Sequence, residues 1–238
     1  MKRSYVVLCL LGACGGNGPE HQGDNPDGGH SSPDAAGSST CSNYTPPDLP
    51  DSKLVWRDQV ALVEIEALTH FSVSGNTTYN SAGKITRFSH DETGSENDFT
   101  VDFTWTSSNK LSRRSYDGYG STNDVTDDLT WTSSGKLSRW SHDAYGSMAD
   151  TTEDFTYTSA GNLSRYSLDA YGSTDDLTDN YSYTSHGQIS RWEEDAYGSS
   201  ADYTETFSYD SYDRLTHWTL EGGGLHLNSS FTYGACEH

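Results

Sequence analysis

The stretch Lys136-Leu137-Ser138-Arg139-Trp140-Ser141-His142-Asp143, followed by Ala144-Tyr145-Gly146-Ser147 and then by Asp150 to Thr158, decides the fold. Its first eight residues alternate as a strand does, its Gly-containing segment is a turn, and Phe155 and Tyr157 sit in a second alternating run. Ser159-Ala160-Gly161 is a second turn, with Gly161 suited to the positive-φ position of a type I turn plus bulge. One such unit is a β-hairpin.

Working outward, the unit recurs. The apolar residue after each short turn is Ile85, Leu111, Leu137, Leu163, Ile189 and Leu215, always 26 residues apart. Arg87, Arg113, Arg139, Arg165 and Arg191 keep the same step, as do Asp91, Asp117, Asp143, Asp169 and Asp195. The column Gly94, Gly120, Gly146, Gly172, Gly198 and Gly224 is unbroken. Several columns agreeing without a gap mark a repeat array, in which each unit buries its apolar face against its neighbours. The expected fold is therefore all-β: an antiparallel meander of 26-residue hairpins over residues 51–238, curled into a barrel or a short spiral sheet.

Counting by twos from Gly135 places Trp131 opposite Leu137 and Leu129 opposite Arg139. The buried face then holds the Leu/Ile column, the columns beginning at Phe103 and Trp105, and the arginines. The acids Asp127, Glu153, Asp179 and Glu205 share that parity and can pair with those arginines. The opposite face is left with Phe88, Trp140, Tyr166, Trp192 and Trp218, interrupted by Arg114. Exposed, such a row stacks on a glycan or fills a protein groove; packed on itself, it is core.

The columns resemble the YD repeat of Rhs-type bacterial proteins, teneurins and insecticidal toxin-complex shells. The nearest copy is Tyr209-Asp210-Ser211-Tyr212-Asp213-Arg214-Leu215-Thr216, with degenerate copies at Tyr157 to Ser164 and Trp131 to Ser138. The resemblance covers Tyr79 to Tyr233. It implies a spiralling β-sheet and an association with cell-surface contact and glycan binding; about a dozen strands are too few for a large shell.

At the start, Lys2 and Arg3 precede the short apolar run Tyr5 to Leu11. Residues 1–13 read as a signal peptide, too short to span a membrane. Leu11-Gly12-Ala13-Cys14 resembles the lipobox of bacterial lipoproteins, which implies a diacylglycerol on Cys14 and a bilayer as partner. Gly15 follows in place of the Asp that marks inner-membrane retention in that family, so the resemblance implies the outer membrane; an ordinary secreted protein is the alternative. Residues 14–50, rich in Gly, Ser, Pro and Asp, read as a tether. With Cys9 removed and Cys14 acylated, Cys41 and Cys236 remain and are expected to pair across 195 residues.

The formal net charge of -21 disfavours nucleic acid as a partner. Asp143, Asp150, Glu153 and Asp154 gather oxygens around one turn in a way that could hold Ca²⁺, but at no calcium-repeat spacing, so no metal or other cofactor is expected. Neither a nucleophile elbow, a phosphate loop nor a zinc spacing occurs, and an enzyme is not expected. The sequence thus points to an envelope-anchored repeat module with a glycan or protein ligand. Its alternatives are a purely architectural spacer and a calcium-dependent adhesin.

Overall fold

A computed structural model describes residues 44–91, 98–118, 124–144, 150–170, 176–196 and 201–234. The signal peptide, Cys14, Cys41, Cys236 and most of the tether lie outside the described residues, as do Tyr119, Tyr145, Tyr171 and Tyr197.

Among the described residues, thirteen strands form one sheet in sequence order: β1 (Asn76–Tyr79), β2 (Ile85–His90), β3 (Phe99–Trp105), β4 (Leu111–Gly118), β5 (Val125–Trp131), β6 (Leu137–Ala144), β7 (Thr151–Tyr157), β8 (Leu163–Ala170), β9 (Leu177–Tyr183), β10 (Ile189–Ala196), β11 (Tyr203–Tyr209), β12 (Leu215–Gly222) and β13 (Leu225–Ser230). Every pairing is antiparallel. The expected meander is present as an open sheet; of the two expected closures, the barrel is not formed.

Short turns are built as the repeat demands. Thr132 N donates to Lys136 O at 2.7 Å and Gly135 N to Thr132 O at 2.9 Å. The residue before the returning strand has φ of 80° at Gly135 and 87° at Gly161, and Asn109 and Asp213 take the same conformation at 60° and 62°.

The faces differ from the count by twos, and the cause is local. Trp131 pairs with Leu137 as expected, but Thr130 pairs with Arg139 and Leu129 with Trp140. Ser138 is an extra residue, a β-bulge repeated in the other short hairpins. One inserted residue reverses every later side chain on that strand. The arginines therefore turn outward, where Arg87, Arg113 and Arg139 grip Asp102, Asp128 and Asp154 with Nε–Oδ1 distances of 2.6 Å each. The aromatic column turns inward. Phe88, Tyr166, Trp192 and Trp218 are buried and Trp140 half-buried, so of the two alternatives for this row the structure shows core.

The inner face is also covered. Helix α1 (Arg57–Ala67), absent from the sequence reading, lays Ala61 and Ile65 on the sheet. The segment around it crosses the strands: Trp56 stacks on Tyr181 at 5.7 Å and Phe71 stacks on Phe88 at 3.8 Å.

Candidate functional site: an acid row clamped by the N-terminal segment

The third residue of β5, β7, β9 and β11 is Asp127, Glu153, Asp179 or Glu205; in β3 it is Val101. The bulge leaves this column on the inner face. Asp127, Asp179 and Glu205 are 1%, 0% and 0% exposed, a burial that demands partners for each carboxylate.

The partners are not the arginine column. Glu205 accepts from Ser52 Oγ at 2.8 Å, Leu54 N at 3.0 Å and Trp218 Nε1 at 2.8 Å, and also from Lys53 N. One carboxylate thus fixes three consecutive residues of the N-terminal segment. Two strands away, Arg57 Nε meets Asp179 Oδ2 at 2.5 Å while its Nη2 reaches Glu194 at 3.0 Å. The same guanidinium lies 5.3 Å from the Tyr166 ring centroid. Tyr181 Oη donates to Val55 O at 2.6 Å. Asp127 is held by Arg114 Nη1 at 2.8 Å, His142 Nδ1 at 2.8 Å and Trp140 Nε1 at 3.1 Å.

Electrostatics follow from these partners. Burial pushes the Asp127 carboxyl up, but His142, Arg114 and Trp140 together hold it below its usual range. The hydrogen bond to Asp127 raises His142. At Asp179 burial outweighs Arg57, and that carboxyl is raised. Glu153, hydrogen-bonded to Tyr166, is pushed up to about 7 by burial, with Glu64 adding repulsion. The aromatic column takes part in this row: Trp140 and Trp218 donate to Asp127 and Glu205, while Trp192 faces Asp179 without closing the bond.

The four acids singled out for Ca²⁺ are not brought together. Asp154 is outside on Arg139, Glu153 is inside, and Asp150 Oδ2 accepts from Ala144 N at 2.9 Å. Asp143 pairs across to Thr126 on β5. Among the described residues no three His, Cys, Asp or Glu side chains form a metal-binding group. The clamp residues Ser52, Arg57 and the amides of Lys53 and Leu54 escaped the sequence reading. Four same-parity acids in a sheet were the signal for them, since the N-terminal segment supplies Arg57 to the same face.

No protein-family model matches the sequence, and no curated protein is similar to it. Solved structures do match in fold. The crystal structure of TcdB2-TccC3-Cdc42 superposes with a TM-score of 0.51 and 15% identity, covering 68% of this chain and 9% of that one. TcdB2-TccC3-TEV gives 0.49 at 15% identity over 65% and 8%. A porin-like protein from Bacteroides uniformis gives 0.32 at 12% identity over 65% of this chain and 85% of that one. The first establishes a shared β-sheet fold with a Tc toxin component, and the chain spans under a tenth of that structure's length.

Proposed function

We propose that this chain is an architectural β-repeat module, carried on a lipid-anchored tether at a bacterial envelope and without catalytic activity. The observation that carries this reading is the fate of the aromatic column. Rings that would have served a glycan or protein ligand are packed against the molecule's own N-terminal segment, and two buried acids, Asp179 and Glu205, hold that segment. A sheet sealed on its apolar face and polar on the other suits a spacer. The likeness to a Tc toxin component supports the fold only. Anchoring rests on the Leu11-Gly12-Ala13-Cys14 motif.

The full chain expressed in a Gram-negative host tests this. It should incorporate a clickable palmitate analogue, lose the label on Cys14→Ser, and yield a protease-resistant fragment that begins near residue 44 when cells are shaved. Unlabelled protein released to the medium, or a fragment degraded throughout, would contradict the proposal.

A further inference from the structure

Helix α1 is the most weakly held part of the segment that covers the inner face. Its 11 residues span about 16 Å. Trp56 at its N-cap provides no side-chain hydrogen bond, and no basic residue stands in its last turn. So short a helix, with β-branched Val60, Val63 and Ile65, has little stability of its own. Its packing is thin as well: Ala61 and Ile65 are buried, while Val60, Leu62 and Val63 face solvent. Both flanks are fixed. Before the helix, the amides of Lys53 and Leu54 sit on Glu205 and Val55 O accepts from Tyr181. After it, Phe71 stacks on Phe88. The segment is tied at its two ends and loose in the middle.

Under the loose middle lies an excess of acid. Arg57, the first residue of α1, is shared between Asp179 on β9 and Glu194 on β10. Asp179 has no solvent exposure, yet its Oδ1 has no hydrogen-bond partner, and neither has the indole nitrogen of Trp192. Glu153 on β7 is half-buried and bonded to Tyr166 of β8; from the helix it faces Glu64, which repels it, and the already shared Arg57. Asp58, also on α1, faces Tyr157, Tyr181 and Tyr183. From β6, Trp140 pairs across to Glu153 and adds no charge. Asp127 lies further along the row, and its partners Arg114, His142 and Trp140 all belong to the sheet.

These groups titrate in one direction. Burial first, then Glu64, pushes Glu153 up to about 7 from 4.5. Burial also raises Asp179 and Glu194, against the pull of Arg57. A carboxyl raised under the helix and ordinary when water reaches it binds more protons in the covered state. The covered state is therefore favoured at low pH and loses ground as pH rises.

We infer that α1 is a hinged cover, lying on β8 in acid and lifting from Tyr166 as the pH passes neutrality, while the segment stays clamped at Glu205 and Phe88. Lifting separates Glu64 from the ionised Glu153 and lets water reach that carboxylate, and it leaves the sheet intact. The sealed spacer thereby gains an apolar surface that is presented only under alkaline conditions.

The test is hydrogen exchange of the full chain carrying Cys14→Ser at about pH 5.5 and about pH 8.5. Each rate is divided by that of an unstructured peptide at the same pH, which removes base catalysis of exchange itself. Protection of the α1 amides from Ala61 to Ala67 should fall by roughly thirtyfold between the two conditions, the factor set by a carboxyl moving from about 7 to 4.5 on uncovering. Lys53, Leu54 and the amides of β7 and β8 should keep theirs. Glu153→Gln retains the size of the side chain and should remove most of the fall. Glu64→Gln, on the exposed side of the helix, should move its midpoint to lower pH. Unchanged α1 protection in the wild type would overturn the inference, as would an equal fall in β7 and β8 or a fall as large in Glu153→Gln. Should Glu153→Gln not fold, Glu64→Gln decides, and an unmoved midpoint there overturns the cover.

Discussion

The indole nitrogen of Trp131 donates to the carbonyl of Leu111, twenty residues earlier, at 2.7 Å. The same bond recurs from Trp105 to Ile85 at 2.6 Å, Tyr183 to Leu163 at 2.7 Å and Tyr209 to Ile189 at 2.9 Å. Tyr233 closes the series on Leu215 at 2.7 Å. Each bond reaches from one hairpin into the preceding one, so these repeats are stapled to their neighbours along one rim, a series that skips Tyr157 among the described residues. Phenylalanine at Trp131 keeps most of the ring and removes the donor. It should cost about 1 kcal/mol by urea denaturation, whereas alanine should cost about 3–5 kcal/mol by losing the packing as well.

Ion pairs on the two faces should behave differently. Arg139 and Asp154 are 54% and 40% exposed, and Asp154→Asn should change stability by under about 1 kcal/mol, an effect that fades in salt. Asp179 is fully buried beneath Arg57. Arg57→Met strands that carboxylate and should cost about 3–5 kcal/mol, insensitive to salt. Equal losses at the two sites in matched denaturation curves would contradict the face assignment.

Stability should peak at mildly acidic pH. Glu153 is pushed up to about 7 from 4.5, so between those values the folded chain binds more protons than the unfolded one. Stability must then fall as pH rises through that window, by on the order of 2–3 kcal/mol. His142, raised by Asp127, has the same sign: its contribution is present at low pH and lost as pH climbs through its folded value. Asp127, held low, contributes the opposite limb, lost only when pH drops below the normal aspartate range. Glu153→Gln should flatten the fall between pH 4.5 and 7 in thermal melts and leave the acid limb in place.

The sequence made the repeat legible, and with it the strand order, since each hairpin carries its own turn chemistry at Gly135 or Gly161. It did not make the faces legible. Ser138 has no feature that marks a bulge, yet it moves Arg139 outward and Trp140 inward. Helix α1 was missed because its apolar residues do not form one stripe: Ala61 and Ile65 are buried, whereas Val60 and Val63 face solvent. The clamp was missed because it joins residues 52–57 to strands some 120 to 150 residues away, a separation no local pattern encodes.

The two termini of the fold meet. Tyr44 and Tyr233 pack edge to face at 5.4 Å, and Tyr44 Oη accepts from Leu215 N at 3.0 Å. Cys41 and Cys236 each lie three residues beyond this contact in sequence and outside the described residues. Their expected pairing should appear as a linked peptide by mass spectrometry without reductant. Closing so long a loop stabilises by at most about 5 kcal/mol, so Cys41→Ser should lower the melting temperature to that of the reduced protein.

The clamp also fixes repeat number. Staples join only neighbours, so excising residues 137–162 leaves the ladder intact, but the N-terminal segment then no longer spans from Glu205 to Phe88 in register. The shortened chain should still show β-sheet circular dichroism and should bind a dye specific for exposed apolar surface.

Hydrogen exchange at Lys53 and Leu54, resolved by fragmentation mass spectrometry in the full chain, probes the clamp itself. Both amides donate to a carboxylate with no solvent exposure, so they should exchange as slowly as the amides of β11 and β12, and Glu205→Ala should release them by orders of magnitude while β11 stays protected. Exchange at the rate of an unstructured chain in the wild type would mean that the segment does not seal the inner face, and the account of the buried aromatic column would fail.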